Sequence, residues 1–134
     1  MLLRLIPDQG GDGTVYGIIA MNDTRSDILS LFDTDMLHLG NLQGYAGFVG
    51  NVAIRFANGA INIYPKILVE IQLVRNDDSP WSDWIVEDAM VQPLRPGVSR
   101  LSGIGIRGAL YIGTAPGNHF LAVAATKRGL NSLF

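Results

Sequence analysis

The chain has 134 residues, which is the size of one domain, and its 48% hydrophobic content can fill a single core with no second lobe. Without cysteine it has neither a disulfide framework nor a thiolate nucleophile, which fits a reducing, cytoplasmic setting, and no cofactor is implied. A formal charge of −2 argues against general nucleic-acid binding, and no apolar run approaches the roughly 20 residues that cross a bilayer, so a soluble chain is expected, with neither nucleic acid nor membrane as partner.

The apolar start MLLRLIP meets Pro7 and Asp8 too soon for a signal peptide. Leu2 to Ile6 predicts a first strand, Asp8 to Gly13 a glycine-rich turn, and Thr14 to Met21 a second strand that completes a hairpin. The apolar run then stops on Asp23, Thr24 and Ser26 and resumes at Ile28, Leu29, Leu31 and Phe32. An acid at the end of an apolar strand needs hydrogen bonds or a charge partner, which makes this stretch the first place to look for chemistry. Ser26 to Leu37 fits a strand or one short helical turn, and Leu39 to Gly50 is turn-rich.

Asn51 to Tyr64 alternates apolar and polar residues around Asn58-Gly59, which predicts a hairpin with a two-residue loop. After Pro65, Ile67, Val69, Ile71 and Leu73 form one face of a central, largely buried strand. Trp84 to Val91 predicts another strand, closed by Arg95-Pro96-Gly97. The last third is glycine-rich, with one short helix expected near Arg107 to Tyr111, a strand over HFLAVAA and a tail LNSLF. All twelve acids lie at or before Asp88 with five bases, while five bases and no acid follow, so the net charge is −7 and then +5. A fold that interleaves the two parts accounts for this asymmetry, which also leaves subunit or anion contacts open.

Several patterns compete for a functional role. Gly103, Gly105 and Gly108 spell GxGxxG, but no acid follows to hold a ribose, so close packing of turns is the preferred reading. Asp33, Asp35 and His38 lack a recognisable cage, and no metal site is assigned. His38 and His119 have no placed nucleophile, and Trp81 and Trp84 read as packing residues around a turn.

The stretch Ile18-Ile19-Ala20-Met21-Asn22-Asp23-Thr24-Arg25-Ser26 resembles the apolar-apolar-Asp-Thr-Gly-Ser/Ala signature of aspartic proteases, in particular the single-lobe retropepsin-like family. The order of later parts is similar too: Asn51 to Tyr64 stands where the family has its flap hairpin, Lys66 to Leu73 and Trp84 to Pro93 where it has the next two strands. Arg100 to Leu110 resembles its apolar-apolar-Gly segment before a short helix, with Ser102 departing at the middle position.

This resemblance implies an all-β, retropepsin-like closed barrel with a flap hairpin and one short helix, spanning residues 1–134. It further implies a homodimer joined through its termini, with LNSLF as the terminal strand, and a peptide or protein substrate. Asp23 would be the catalytic acid/base, Thr24 the brace between two loops, Ser26 a supporting hydrogen-bonder, and Ala57, Asn58 and Gly59 the flap tip over substrate. Two carboxylates in contact share a proton, so each subunit supplies one. Arg25 stands where the family has Gly, and Asn22 where it has an apolar residue. A cation beside the paired acids opposes the shared-proton state, so the implied function is either an endopeptidase or a non-catalytic peptide-binding or dimerisation module. Asp33-Thr34-Asp35 is a rival for the motif, lacking both the preceding strand and the Gly.

Overall fold

The computed structural model of the chain describes residues 1–55, 58–117 and 121–133. Among these, the chain runs β1 (Leu2–Leu5), β2 (Val15–Gly17), β3 (Leu29–Phe32), α1 (Asp33–Met36), β4 (Phe48–Arg55), β5 (Ile61–Gln72), β6 (Ile85–Gln92), α2 (Ile104–Ala109), β7 (Tyr111–Gly113), β8 (Ala122–Ala124) and α3 (Lys127–Asn131), with a 3₁₀ turn at Pro7–Gln9. It is a mostly β protein. No helix among the described residues is long and apolar enough to cross a membrane.

The main sheet has the order β2-β1-β5-β6-β3, with β4 also pairing β5. All pairs are antiparallel except β3 with β6. β5 is the spine: one edge carries β4 along Ile61–Ile67 and then β1 along Val69–Gln72, while the other edge carries β6. Ile67, Val69 and Ile71 are fully buried against Leu3, Leu5, Leu29, Leu31 and Ala89, whereas the alternate residues Leu68, Glu70 and Gln72 stay half-exposed. Each such aliphatic contributes about 1.5–3 kcal/mol by leaving water.

Several expectations are corrected. The sheet is open among the described residues, with β2 and β3 at its ends, so it is not the closed barrel. Among the described residues there are three short α-helices rather than the single one expected. Ser26 to Leu37 contains both alternatives in series, a buried strand and then the turn of α1, because the Asp35 carboxylate reaches back to the Phe32 N–H at 2.9 Å and starts the helix. The second hairpin arm does not stop at Pro65. β5 runs through it, and the β4 bulge between Phe48 and Asn51 lies opposite, where the missing N–H does least harm. Among the described residues the last pair of that hairpin is Arg55 with Ile61, and part of the expected Asn58-Gly59 turn, at residues 56 and 57, lies outside the described residues. Among the described residues of the tail LNSLF no strand forms: Leu130 and Asn131 end α3, which Thr126 caps by accepting the Gly129 N–H at 3.0 Å.

Candidate functional site around Asp23

The Asp23 loop is built by the chain on both sides of it. Before the loop, the Met21 N–H donates to Arg100 O at 2.8 Å and the Ser102 N–H returns to Met21 O at 2.9 Å. After the loop, the Ser30 N–H donates to Leu101 O at 3.0 Å. Residues 21 and 30 therefore grip opposite edges of one extended segment, Arg100 to Ser102, and residues 22–28 close over it.

Asp23 is half-exposed. Its Oδ1 accepts the Arg25 N–H at 2.9 Å, while Oδ2 has no hydrogen-bond partner among the described residues. Asp23 lines a groove of about 410 Å³ together with Arg25, Asp27, Ile28, Val52, Ile54 and Met90 among others. Val52 and Ile54 belong to β4, so one arm of the long hairpin contributes to the lining of the groove that Asp23 also lines. Asn58 and Gly59 are exposed at the hairpin tip, where Asn58 Oδ1 accepts the Ala60 N–H at 2.9 Å and Gly59 adopts φ +83°. Ala57 and His119 lie outside the described residues.

Thr24 is exposed and lines a different cavity, of about 260 Å³, with Asn22, Arg107, Leu110, Tyr111 and Ile112. The hydroxyl of Ser26 donates to Ile28 O at 2.6 Å, a bond within the loop. Arg25 is exposed and meets Asp23 through its backbone N–H, and among the described residues its guanidinium forms no ion pair.

No protein-family model, curated protein or solved structure matches the chain.

The other candidates have structural partners of their own. Asp35 is bonded to Arg100. Asp33 Oδ1 accepts the N–H groups of Thr34 at 2.8 Å and Leu94 at 3.1 Å. His38 stacks on Tyr16 with ring centroids 4.5 Å apart, and Trp84 receives the Arg4 guanidinium at 4.0 Å. Two of the GxGxxG glycines sit against Glu87: a Cβ on Gly103 would stand 2.3 Å from its Oε2, and one on Gly105 would stand 2.7 Å from its Cδ.

Three residues important to the loop were given no role in it from the sequence. The Asp23 N–H donates to Ser102 Oγ at 3.2 Å, and that hydroxyl lies 3.4 Å from Asn22 Oδ1. The two polar departures, Asn22 and Ser102, thus meet across the loop, and pairing them would have exposed the contact. Arg107 bonds two loop carbonyls, those of Asp23 and Ser26. Glu87 shares the inward parity of Ile85 and Ala89 along its strand, which marked it as a buried acid needing donors. Those donors are the N–H groups of Gly105 and Ile106, and burial still pushes its acid pKa up.

Proposed function

We propose that this chain is a retropepsin-like aspartic endopeptidase domain whose active site is completed by a second copy, with one Asp23 from each subunit. The observation that supports this reading is that Asp23, with Oδ1 held by the Arg25 N–H of its own loop, lines one groove together with Val52 and Ile54 of β4. An extended peptide laid along that groove would pass its backbone in front of the acid. A single carboxylate cannot act as base and acid at once. Two in contact share a proton, so one activates a water against the peptide carbonyl while the other protonates the departing group. A single motif per chain requires C2 symmetry for this chemistry.

The test is hydrolysis of a diverse peptide library between acidic and neutral pH by the folded dimer. Cleavage blocked by a statine-type inhibitor and abolished by Asp23→Asn supports the reading. A folded dimer that cuts nothing sinks it, as does a chain that stays monomeric at high micromolar concentration.

One observation favours a second reading, a non-catalytic peptide-binding module of the same fold: Arg25 lines the groove beside Asp23. In a symmetric pair two guanidiniums would approach the acids and favour two ionised carboxylates over a shared proton. Under this reading the wild-type chain binds extended peptides without cutting them, and Arg25→Gly switches hydrolysis on.

A further inference from the structure

Arg107 is the only cation between Leu101 and Gly113, in a segment otherwise apolar and glycine-rich. From α2 its Nη1 donates to the carbonyl of Asp23 at 2.8 Å, and its Nη2 donates to the carbonyl of Ser26. The Ser26 N–H closes the same turn on Asp23 O at 3.2 Å. The guanidinium therefore spans both ends of the four residues that carry Asp23, Thr24, Arg25 and Ser26. Its donors are held in a rigid planar fork, so it imposes the separation of the two carbonyls; an ammonium is a point donor without that geometry. The N–H that holds Asp23 Oδ1 belongs to Arg25, inside this clasped turn.

Arg107 is itself seated by Glu87, a side chain from β6 that is 2% exposed. Its Oε2 accepts the Gly105 N–H at 3.1 Å and its Oε1 the Ile106 N–H at 2.7 Å. The first turn of α2 is thus tied to the sheet one residue before Arg107. Side chains at 103 and 105 would displace the carboxylate, which is why the approach uses two glycines. Arg107 also sits close enough to Glu87 for its charge to favour the ionised acid.

We propose that Arg107 is a positioning residue for Asp23: by bridging the Asp23 and Ser26 carbonyls it holds the turn that aims the carboxylate into the groove, and Glu87 holds Arg107 in place through α2. The inference rests on Asp23 being the working group of the groove. Arg107 acts through the loop and touches neither substrate nor the reacting atoms. Its loss lets the turn open and the Arg25 N–H leave Oδ1, while the β4 wall is unchanged.

The test uses the full chain as wild type, Arg107→Met, Arg107→Lys and Glu87→Gln, read by residue-resolved amide exchange and by peptide hydrolysis. In Arg107→Met the Arg25 and Ser26 amides are expected to exchange at least about 10-fold faster while those of β5 keep their wild-type protection, with Arg107→Lys intermediate. Glu87→Gln should loosen the same two amides without altering the loop's own sequence, and it and Arg107→Lys decide the matter if Arg107→Met does not fold. In hydrolysis kcat should fall on the order of 100-fold in Arg107→Met with KM held within about twofold, the pattern of a misaimed group rather than a lost binding contact. Unchanged exchange at residues 25 and 26 in the folded variants overturns the proposal. So does acceleration spread equally over β5, which would mean general destabilisation, or a KM effect with kcat retained. If the wild-type chain cuts no peptide, exchange alone decides: selective loosening of the turn upholds the role of Arg107 while the proteolytic reading of the groove falls.

Discussion

The guanidinium of Arg100 grips the carboxylate of Asp35 in two places, Nε to Oδ2 at 2.8 Å and Nη2 to Oδ1 at 2.6 Å, with Asp35 only 1% exposed. The Phe32 N–H adds a third bond to Oδ2 at 2.9 Å, and Arg100 Nη1 reaches Ile19 O at 3.3 Å. The bond to Asp35 holds the guanidinium pKa above its already high ordinary value, so Arg100 stays charged. Arg100 opens the segment that the Asp23 loop closes over. The Asp33-Thr34-Asp35 sequence, through Asp35, thus anchors the segment under the Asp23 loop. Replacing Arg100 by Met would leave a buried carboxylate without its cation, and a loss of about 3–5 kcal/mol is expected in urea unfolding. A loss under about 1 kcal/mol, the range of an exposed pair, would show that the bridge anchors nothing.

Gly105 gives a case in which local propensity and tertiary packing point in opposite directions. It lies in α2, where Ala is favoured over Gly by about 1 kcal/mol. A Cβ there would stand 2.4 Å from Val86 O, a backbone atom that cannot swing aside. Gly105→Ala is therefore expected to lower stability by roughly 1–3 kcal/mol, the size of overpacking in a tight core. Thermal or urea unfolding gives the sign directly. A stabilised variant would refute the packing argument.

Glu87 makes stability depend on pH. Burial raises its pKa above 4.5, outweighing the Ile106 and Gly105 N–H groups and the charge of Arg107. Between the unfolded and the folded pKa the native state binds more protons than the unfolded chain, so stability falls as pH rises through this window. The contribution is fully present below about pH 4.5 and is lost once pH passes the folded value. Urea midpoints measured from pH 4 upward should carry this decline in the wild type, and Glu87→Gln should remove it. An equal decline in both proteins would assign the effect to another group.

Tyr45 fastens the root of the long hairpin. Its hydroxyl accepts the Ile6 N–H at 2.9 Å and donates to Leu68 O at 2.6 Å, tying the end of β1 to the middle of β5. Its ring also fills the space where a side chain on Gly47 would stand. Tyr45→Phe keeps the ring and strands two backbone groups, so a loss of about 1–3 kcal/mol is expected. Calorimetry showing no change in the folded protein would mean that water replaces the hydroxyl.

Strand positions were legible because the side-chain period of two is printed in the chain: Ile67, Val69 and Ile71 point inward as their alternation requires, and Ile85 to Gln92 falls almost where the apolar run Trp84 to Val91 placed it. The helix α2 was expected near Arg107 to Tyr111 and instead spans Ile104–Ala109, since its cap is a carboxylate 18 residues away and leaves no local mark. The same limit hid Ser102 and Arg107.

By its own residues the sequence determined a β-rich chain, a buried central strand and an acid at the end of an apolar run, because each of these is local in its chemistry. Only the tertiary structure decided that the sheet is open among the described residues, that β5 continues through Pro65, and that Asp35 serves Arg100 while Asp23 lines the groove. Those outcomes depend on which donors distant segments bring to each acid. A buried carboxylate takes its role from the partners that satisfy it.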